Sequence, residues 1–416
     1  MDRLALIRLA GMIAATATCA AAATEAAAQD PGEGIVLNEQ LQLGDVFAGQ
    51  TLVVVDADDQ VTVSTSAVGN SLSGAVETGH IEVRSTQTLQ GDVRAANDLT
   101  LGGDTEGYVT ATTQANGNYI AGGAYGGDLT LDSTQSVGDV RIEAISNLPG
   151  GTARLIGGAG IETAAAANVA ALAARDGHID GTLRQDSAAV VFSSNYGAVQ
   201  YAPGATTFSS QALGNVVSYN GTAPASQDLR LEQRNTGPLV QAGTSANAGN
   251  SWDLAGRARA GGNQGVFANQ GGSSVVEARQ DNSARVWAES IVTSYDFGRA
   301  TSHAQASGNT LAVGNEDIYV RIDNAQFNSG GVQADASFAG AYGYDAYVGA
   351  DAVGNSVTGF ACAECGATLE AQNSQTNQGD VSATARTVIG GDGRAVITGA
   401  NATGNAASFY VTRPSH

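Results

Sequence analysis

The sequence predicts an all-β fold, a repeat β-solenoid of the β-helix kind with about eight units of ~48 residues, each made of two strand-turn-strand half-units. Three observations predict it. Gly-Asn pairs recur along the chain, marking Asn70, Asn118, Asn215, Asn263, Asn309, Asn355 and Asn405, and a degenerate copy, "AAAANVAAL", supplies Asn168 in the one long gap. A second marker, Gln87, Gln135, Gln185, Gln233, Gln280, Gln326 and Gln372, keeps the same spacing of 46 to 50 residues. Between markers, Val, Ile, Leu, Thr and Tyr alternate with small or polar residues, which is strand periodicity.

In chain order, residues 1–28 read as a secretory signal peptide. Arg3 and Arg8 begin it, an apolar stretch runs from Leu9 to Ala23, and Ala26-Ala27-Ala28 offers a cleavage site. The stretch is short for a membrane anchor, and Thr18 before Cys19 fits a lipidation site poorly. Residues 29–52 are expected to form an N-terminal segment or cap, 53–405 the solenoid, and 406–416 a C-terminal tail or cap.

Within the repeat domain, "YVTATTQANGNYIAGG" from Tyr108 and "DLTLDSTQSVGDVRIEA" from Asp128 each read as a short alternating run, a polar pivot with Gly, and another run. Gly-Asn, Gly-Asp and Gly-Gly are expected to supply the positive-φ residues that turns need. Only Ile161–Gly177, "IETAAAANVAALAARDG", has helical propensity, and Asn168 keeps it in register, which favours Ala-rich coils over a helical interruption. If every half-unit is one coil, some sixteen coils stack into a rod of about 75 Å. Stacked Asn and Gln are suited to amide ladders between coils. An eight-bladed propeller also fits the period, but its blades usually carry more aromatic packing than this chain's 6% aromatic residues supply.

Charge and residue inventory narrow the function classes. The net charge is −21 with no Lys, so the surface repels phosphate backbones and nucleic-acid binding is not expected. Charged residues are only 14% of the chain, too few for an acidic disordered tail. Asp56–Val61 lacks the Gly and Glu of a calcium loop, and "GGDGRAVI" from Gly390 occurs once where calcium-binding repeats need stacked copies. Asp176 and His178 lie together without a nucleophile motif. No catalytic, cofactor or metal residue is assigned. The rival class is a polysaccharide-acting parallel β-helix enzyme, which needs Asp clustered with Arg or Lys on adjacent coils; the acids here are scattered singly in sequence. Cys362 and Cys365, in "FACAECG", stand as half a zinc site, a redox pair or a disulfide, and an exported chain favours the disulfide, which would staple a turn.

The strand-turn-strand half-units with Gln and Asn markers, as in "STQSVGDV" (133–140) and "TTQANGNYI" (112–120), resemble the curlin repeats of bacterial surface amyloid fibres. Together with an exported, acidic, Lys-free chain, they resemble the HfaD-type holdfast anchoring family of stalked alphaproteobacteria. That resemblance implies a secreted adhesin or anchor component, held at the cell surface or outer membrane at a cell pole. It also implies a surface polysaccharide, a curlin-like holdfast anchor protein and a curli-type secretion pore as partners; self-association is expected separately, from strand addition at the open ends of the solenoid. The double-length repeat and the Cys pair depart from curlin and point to a finite rod or short multimer as readily as to a fibre. On this reading Asn118 is a register mark, and Asn118→Ala costs stability only modestly.

Overall fold

The computed structural model describes residues 33–222, 224–362 and 366–412; the expected signal peptide and Cys365 lie outside them. The described chain is an all-β solenoid of eight coils, each with three sides. Side one is an eight-stranded sheet of Glu33–Gln42, His80–Leu89, Asp128–Val137, His178–Ser187, Ser226–Asn235, Ser273–Asn282, Tyr319–Asn328 and Thr368–Asn377, stacked in chain order. Sides two and three form the second sheet. They are separate strands in the first coil, Val46–Val54 and Val61–Val76, and fuse into continuous strands Leu239–Asn269, Arg285–Asn315 and Val332–Cys362 in coils five to seven.

Every strand pairs in parallel with the strand one repeat away: Gln87 faces Gln135, and Asn168 lies between Asn118 and Asn215. Parallel pairing throughout excludes the propeller, whose blades are antiparallel. It also corrects the coil count. One repeat of 46 to 50 residues is one complete coil, so eight layers give a stack of about 38 Å, half the expected length. The half-units are sides of a coil, not coils. The stack is also longer in sequence than 53–405. The expected cap, 29–52, carries the first strand of coil one and most of the second, and the expected tail, 406–416, holds the end of the last strand, Ala395–Thr412.

Stacking at one strand spacing turns each inward position into a column. On side two a β-branched column runs Val46, Val93, Ile142, Val191, Val240, Val286, Val332, Val381. Two residues on, Ala95, Ala144, Ser193, Ala242, Ala288 and Ala334 follow in a second column. Stiff branched side chains stack well on a pleated face, and the small column keeps the interior narrow. An interior this thin is filled without many aromatics. Ile161–Gly177 obeys the same geometry: Ala159–Arg175 is a strand despite its helical propensity, because both neighbours pair with it.

The long third side bends in the middle. In Val109–Tyr125 alternate residues are buried from Val109 through Ala111 and Thr113 to Ala115, burial is continuous across Asn116 and Gly117, and after the bend the buried side chains include Asn118, Ile120 and Ala124, so the buried phase slips by one. Before the bend the strand packs with side two in one apolar column that contains Val109, Ala111 and Val93. After it, the strand packs with side one in a second column that contains Ile120, Ala124 and Leu131. Gly117 sits at the slip. Neither it nor any other Gly preceding a repeated Asn has positive φ; among the described residues the positive-φ glycines are Gly79, Gly126, Gly158, Gly181, Gly271 and Gly366. The expected turn is therefore a mid-strand bend, and the glycine is there for space: a Cβ on Gly117 would lie 2.5 Å from the carbonyl oxygen of Ala167 in the next coil.

Candidate functional site

The repeated Asn and Gln side chains meet inside the rod, between the two apolar columns. Asn70, Asn118, Asn168, Asn215, Asn263, Asn309, Asn355 and Asn405 form one ladder, each Nδ2 donating to the Oδ1 of the next at 2.8 to 2.9 Å. The second Nδ2 hydrogen donates across to side one, from Asn118 to the carbonyl of Ser136 at 3.1 Å and from Asn215 to that of Arg234 at 2.9 Å. The Gln ladder runs with the opposite polarity: Gln87 donates back to Gln40, Gln135 to Gln87, Gln185 to Gln135, Gln233 to Gln185, Gln280 to Gln233 and Gln326 to Gln280. Its spare hydrogens return to side three, from Gln185 to the carbonyl of Val216 at 3.0 Å, for example.

Gln372 does not belong to that ladder. It pairs with Asp323, and Gln375 takes the place, donating to Gln326 at 2.8 Å. A third ladder, which the sequence reading missed, occupies the end of side one in the later coils. Asn235 donates to Asn282, Asn282 to Asn328 and Asn328 to Asn377, where coils two and three carry Leu89 and Val137. Mid-stack amides such as Asn215 and Gln185 are buried and spend both donors and an acceptor inside the protein. They hold coils together and offer nothing to a ligand.

Other residues weighed from sequence are dispersed. Asp56 accepts the backbone N–H of Asp104 at 2.9 Å, and His178 pairs with Ser226 at 2.8 Å. No group of three or more His, Cys, Asp or Glu able to hold a metal occurs among the described residues. Of the two cysteines, only Cys362 falls within them.

What the sequence reading missed altogether is the corner between sides two and three in coils four to eight. There Tyr201, Trp252, Asp296, Tyr342, Tyr344 and Asp392 line an open groove of about 590 Å³, with Tyr295 beside it. Trp252 is 63% exposed and Tyr295 61%. The rings interlock edge to face, Trp252 with Tyr344 at 6.1 Å and Tyr295 with Tyr342 at 5.9 Å between centroids. Each platform rests on a glycine in the following coil. A Cβ on Gly298 would lie 2.8 Å from the Trp252 indole, and one on Gly391 would lie 2.6 Å from the Tyr342 ring. Arg394 stacks over Tyr344 at 5.4 Å while its Nε donates to Asp345 at 2.9 Å.

The same corner overturns the expectation of scattered acids. Asp253, Arg299 and Asp345 occupy one column on coils five to seven. Arg299 pairs with Asp253, and Arg394 on coil eight pairs with Asp345, holding the Asp345 carboxyl below its ordinary range chiefly by hydrogen bonding. These two carboxylates are engaged by arginines, while Asp296 and Asp392 in the groove are exposed and in no ion pair among the described residues. On side two, Glu289 and Asp335 are register partners on coils six and seven. Burial first, and then the Asp335 charge, push the Glu289 carboxyl above its ordinary range.

Comparison with known proteins places the chain in a family. The family model described as holdfast attachment protein D covers residues 55–331, from the end of side two in coil one to the end of side one in coil seven. No curated protein and no solved structure matches the chain.

Proposed function

The chain belongs to the holdfast attachment protein D family, and on that premise we propose that it fixes the holdfast's adhesive polysaccharide to the cell envelope. The family is one of attachment proteins, not of enzymes, and its role implies a place at the cell envelope or surface. The proposed protein is exported through the leader at 1–28, resides at the outer membrane at a cell pole, and works as a polysaccharide-binding adhesin. Its proposed partners are the polysaccharide, a curlin-like anchor protein and a curli-type secretion pore, and it self-associates through the open ends of the stack. The family match carries this reading. The rod supports it physically: parallel coils repeat the same surface groups about every 4.8 Å, so many weak contacts act together and give retention that one contact lacks.

The test is an in-frame deletion in holdfast-producing cells. The reading expects cells that still make adhesive polysaccharide but shed it into the medium, with retention restored by the intact gene. Full retention in the deletion strain contradicts it. The enzyme reading draws on Glu289 beside Asp335, since a pair of neighbouring carboxyls, one raised by burial and by the other's charge, is the residue type glycosidic cleavage uses. Release of sugar fragments from the polysaccharide, lost in Glu289→Gln, would establish that reading instead.

A further inference from the structure

The aromatic corner has the build of a carbohydrate site, and nothing in the ladders or columns requires it. Buried aromatics such as Phe208 and Phe267 serve the core. Trp252, Tyr295, Tyr342 and Tyr344 instead stay exposed on coils five to seven while their neighbours fix them in place. Glycines beneath Trp252 and Tyr342, the two edge-to-face pairs, and Arg394 over Tyr344 leave the rings little freedom to lose on binding. A rigid, exposed, partly polar ring is costly to leave in water and is well suited to one ligand surface, the C–H face of a pyranose. Hydroxyls at the rim of such a sugar need acceptors, and Asp296 and Asp392 stand in the same groove.

We propose that this corner groove is the polysaccharide-binding site of the protein, stacking successive pyranose rings of an uncharged glycan on Trp252, Tyr342 and Tyr344 and accepting their hydroxyl protons at Asp296 and Asp392. The proposal rests on the attachment reading and makes it local: retention is concentrated in coils five to eight and not spread evenly along the rod. Electrostatics select the ligand. The groove is lined by Asp296 and Asp392 with no Arg among its lining residues, and the nearby Arg299, Arg394 and Arg154 are paired with Asp253, Asp345 and Asp104, on a chain of net charge −21, so a polyuronate is repelled and a neutral chain is not.

The chain has two Trp, so Trp287→Phe leaves Trp252 as the single fluorescent reporter. Titration with isolated holdfast polysaccharide is expected to change its emission to saturation. In a pull-down with the same polysaccharide, Trp252→Ala/Tyr342→Ala loses at least tenfold in affinity. Tyr125→Ala, which removes an exposed ring elsewhere on the rod, stays within twofold of the parent, and circular dichroism reports the fold of each variant. Oligogalacturonate is expected not to compete, whereas cellohexaose in excess does. Binding by the double variant within twofold of the parent overturns the groove and leaves the attachment reading intact. So does a parent protein that restores retention in cells yet binds no isolated polysaccharide, since attachment then runs through a protein partner. If the deletion strain retains its holdfast, it is the attachment reading that fails.

Discussion

Replacing Asn215 by Ala removes an interior rung of the Asn ladder. The side chain is buried, its Oδ1 accepts from Asn168 at 2.8 Å, and its Nδ2 donates to Asn263 at 2.8 Å and to the Arg234 carbonyl at 2.9 Å. Alanine strands an amide N–H on Asn168 and an amide oxygen on Asn263 where water has no access. Each stranded group costs about 1–3 kcal/mol. With the carbonyl of Arg234 also losing a donor, the total comes to about 3–5 kcal/mol, more than the modest loss the sequence suggested for the equivalent Asn118. Asn405 is the control. It is the exposed last rung and its one ladder bond is the 2.8 Å bond it accepts from Asn355, so Asn405→Ala costs about 1 kcal/mol. Asn215→Asp is worse than Ala at neutral pH, because a carboxylate faces the Asn263 oxygen with no proton to give, and it recovers in part on acidification. Guanidinium unfolding followed by circular dichroism measures all three. If Asn215→Ala falls within 1 kcal/mol of Asn405→Ala, the ladder does not hold the coils together.

Two further predictions concern space and charge. Gly308→Ala places a Cβ 2.5 Å from the Gly354 oxygen and 2.6 Å from Asn328 Oδ1, so it destabilises by about 1–3 kcal/mol, while Gly74→Ala meets nothing within 4 Å and is near neutral by the same unfolding assay. For Glu289 the sign runs opposite to the usual carboxylate: a folded value raised by burial and by Asp335 gives stability that is full below the unfolded value, about 4.3, and lost as pH rises through the folded value. Glu289→Gln therefore stabilises at neutral pH and changes little below about pH 4. A thermal-melt series across pH that shows a constant offset contradicts this assignment.

The period and the strands were legible because Asn and Gln recur in register and apolar residues alternate between them. How many backbone turns one period makes was not. Two sides of one coil read alike as strand, bend and strand, and only the pairing of Gln87 with Gln135, a full repeat away, shows which of them stack. Gln375 was hidden for a related reason. Side one of coil eight starts 49 residues after that of coil seven, where coil seven follows coil six by 46, so a fixed ruler lands on Gln372. The groove was readable in part. At the 46-residue period Trp252, Gly298 and Tyr344 fall in line, a ring, a space and a ring. Tyr295 and Tyr342 approach from a neighbouring column, and their contact depends on the corner's curvature, which no linear spacing encodes.

Both the ladders and the groove depend on one repeat being one coil. Small-angle scattering on the parent chain and on a variant lacking residues 80–177, coils two and three, measures that relation, since the deletion rejoins Gly79 to a side-one strand at His178. The stack is predicted to shorten by about 10 Å with the groove still binding polysaccharide. A shortening near 19 Å, two layers for every repeat removed, would contradict the account.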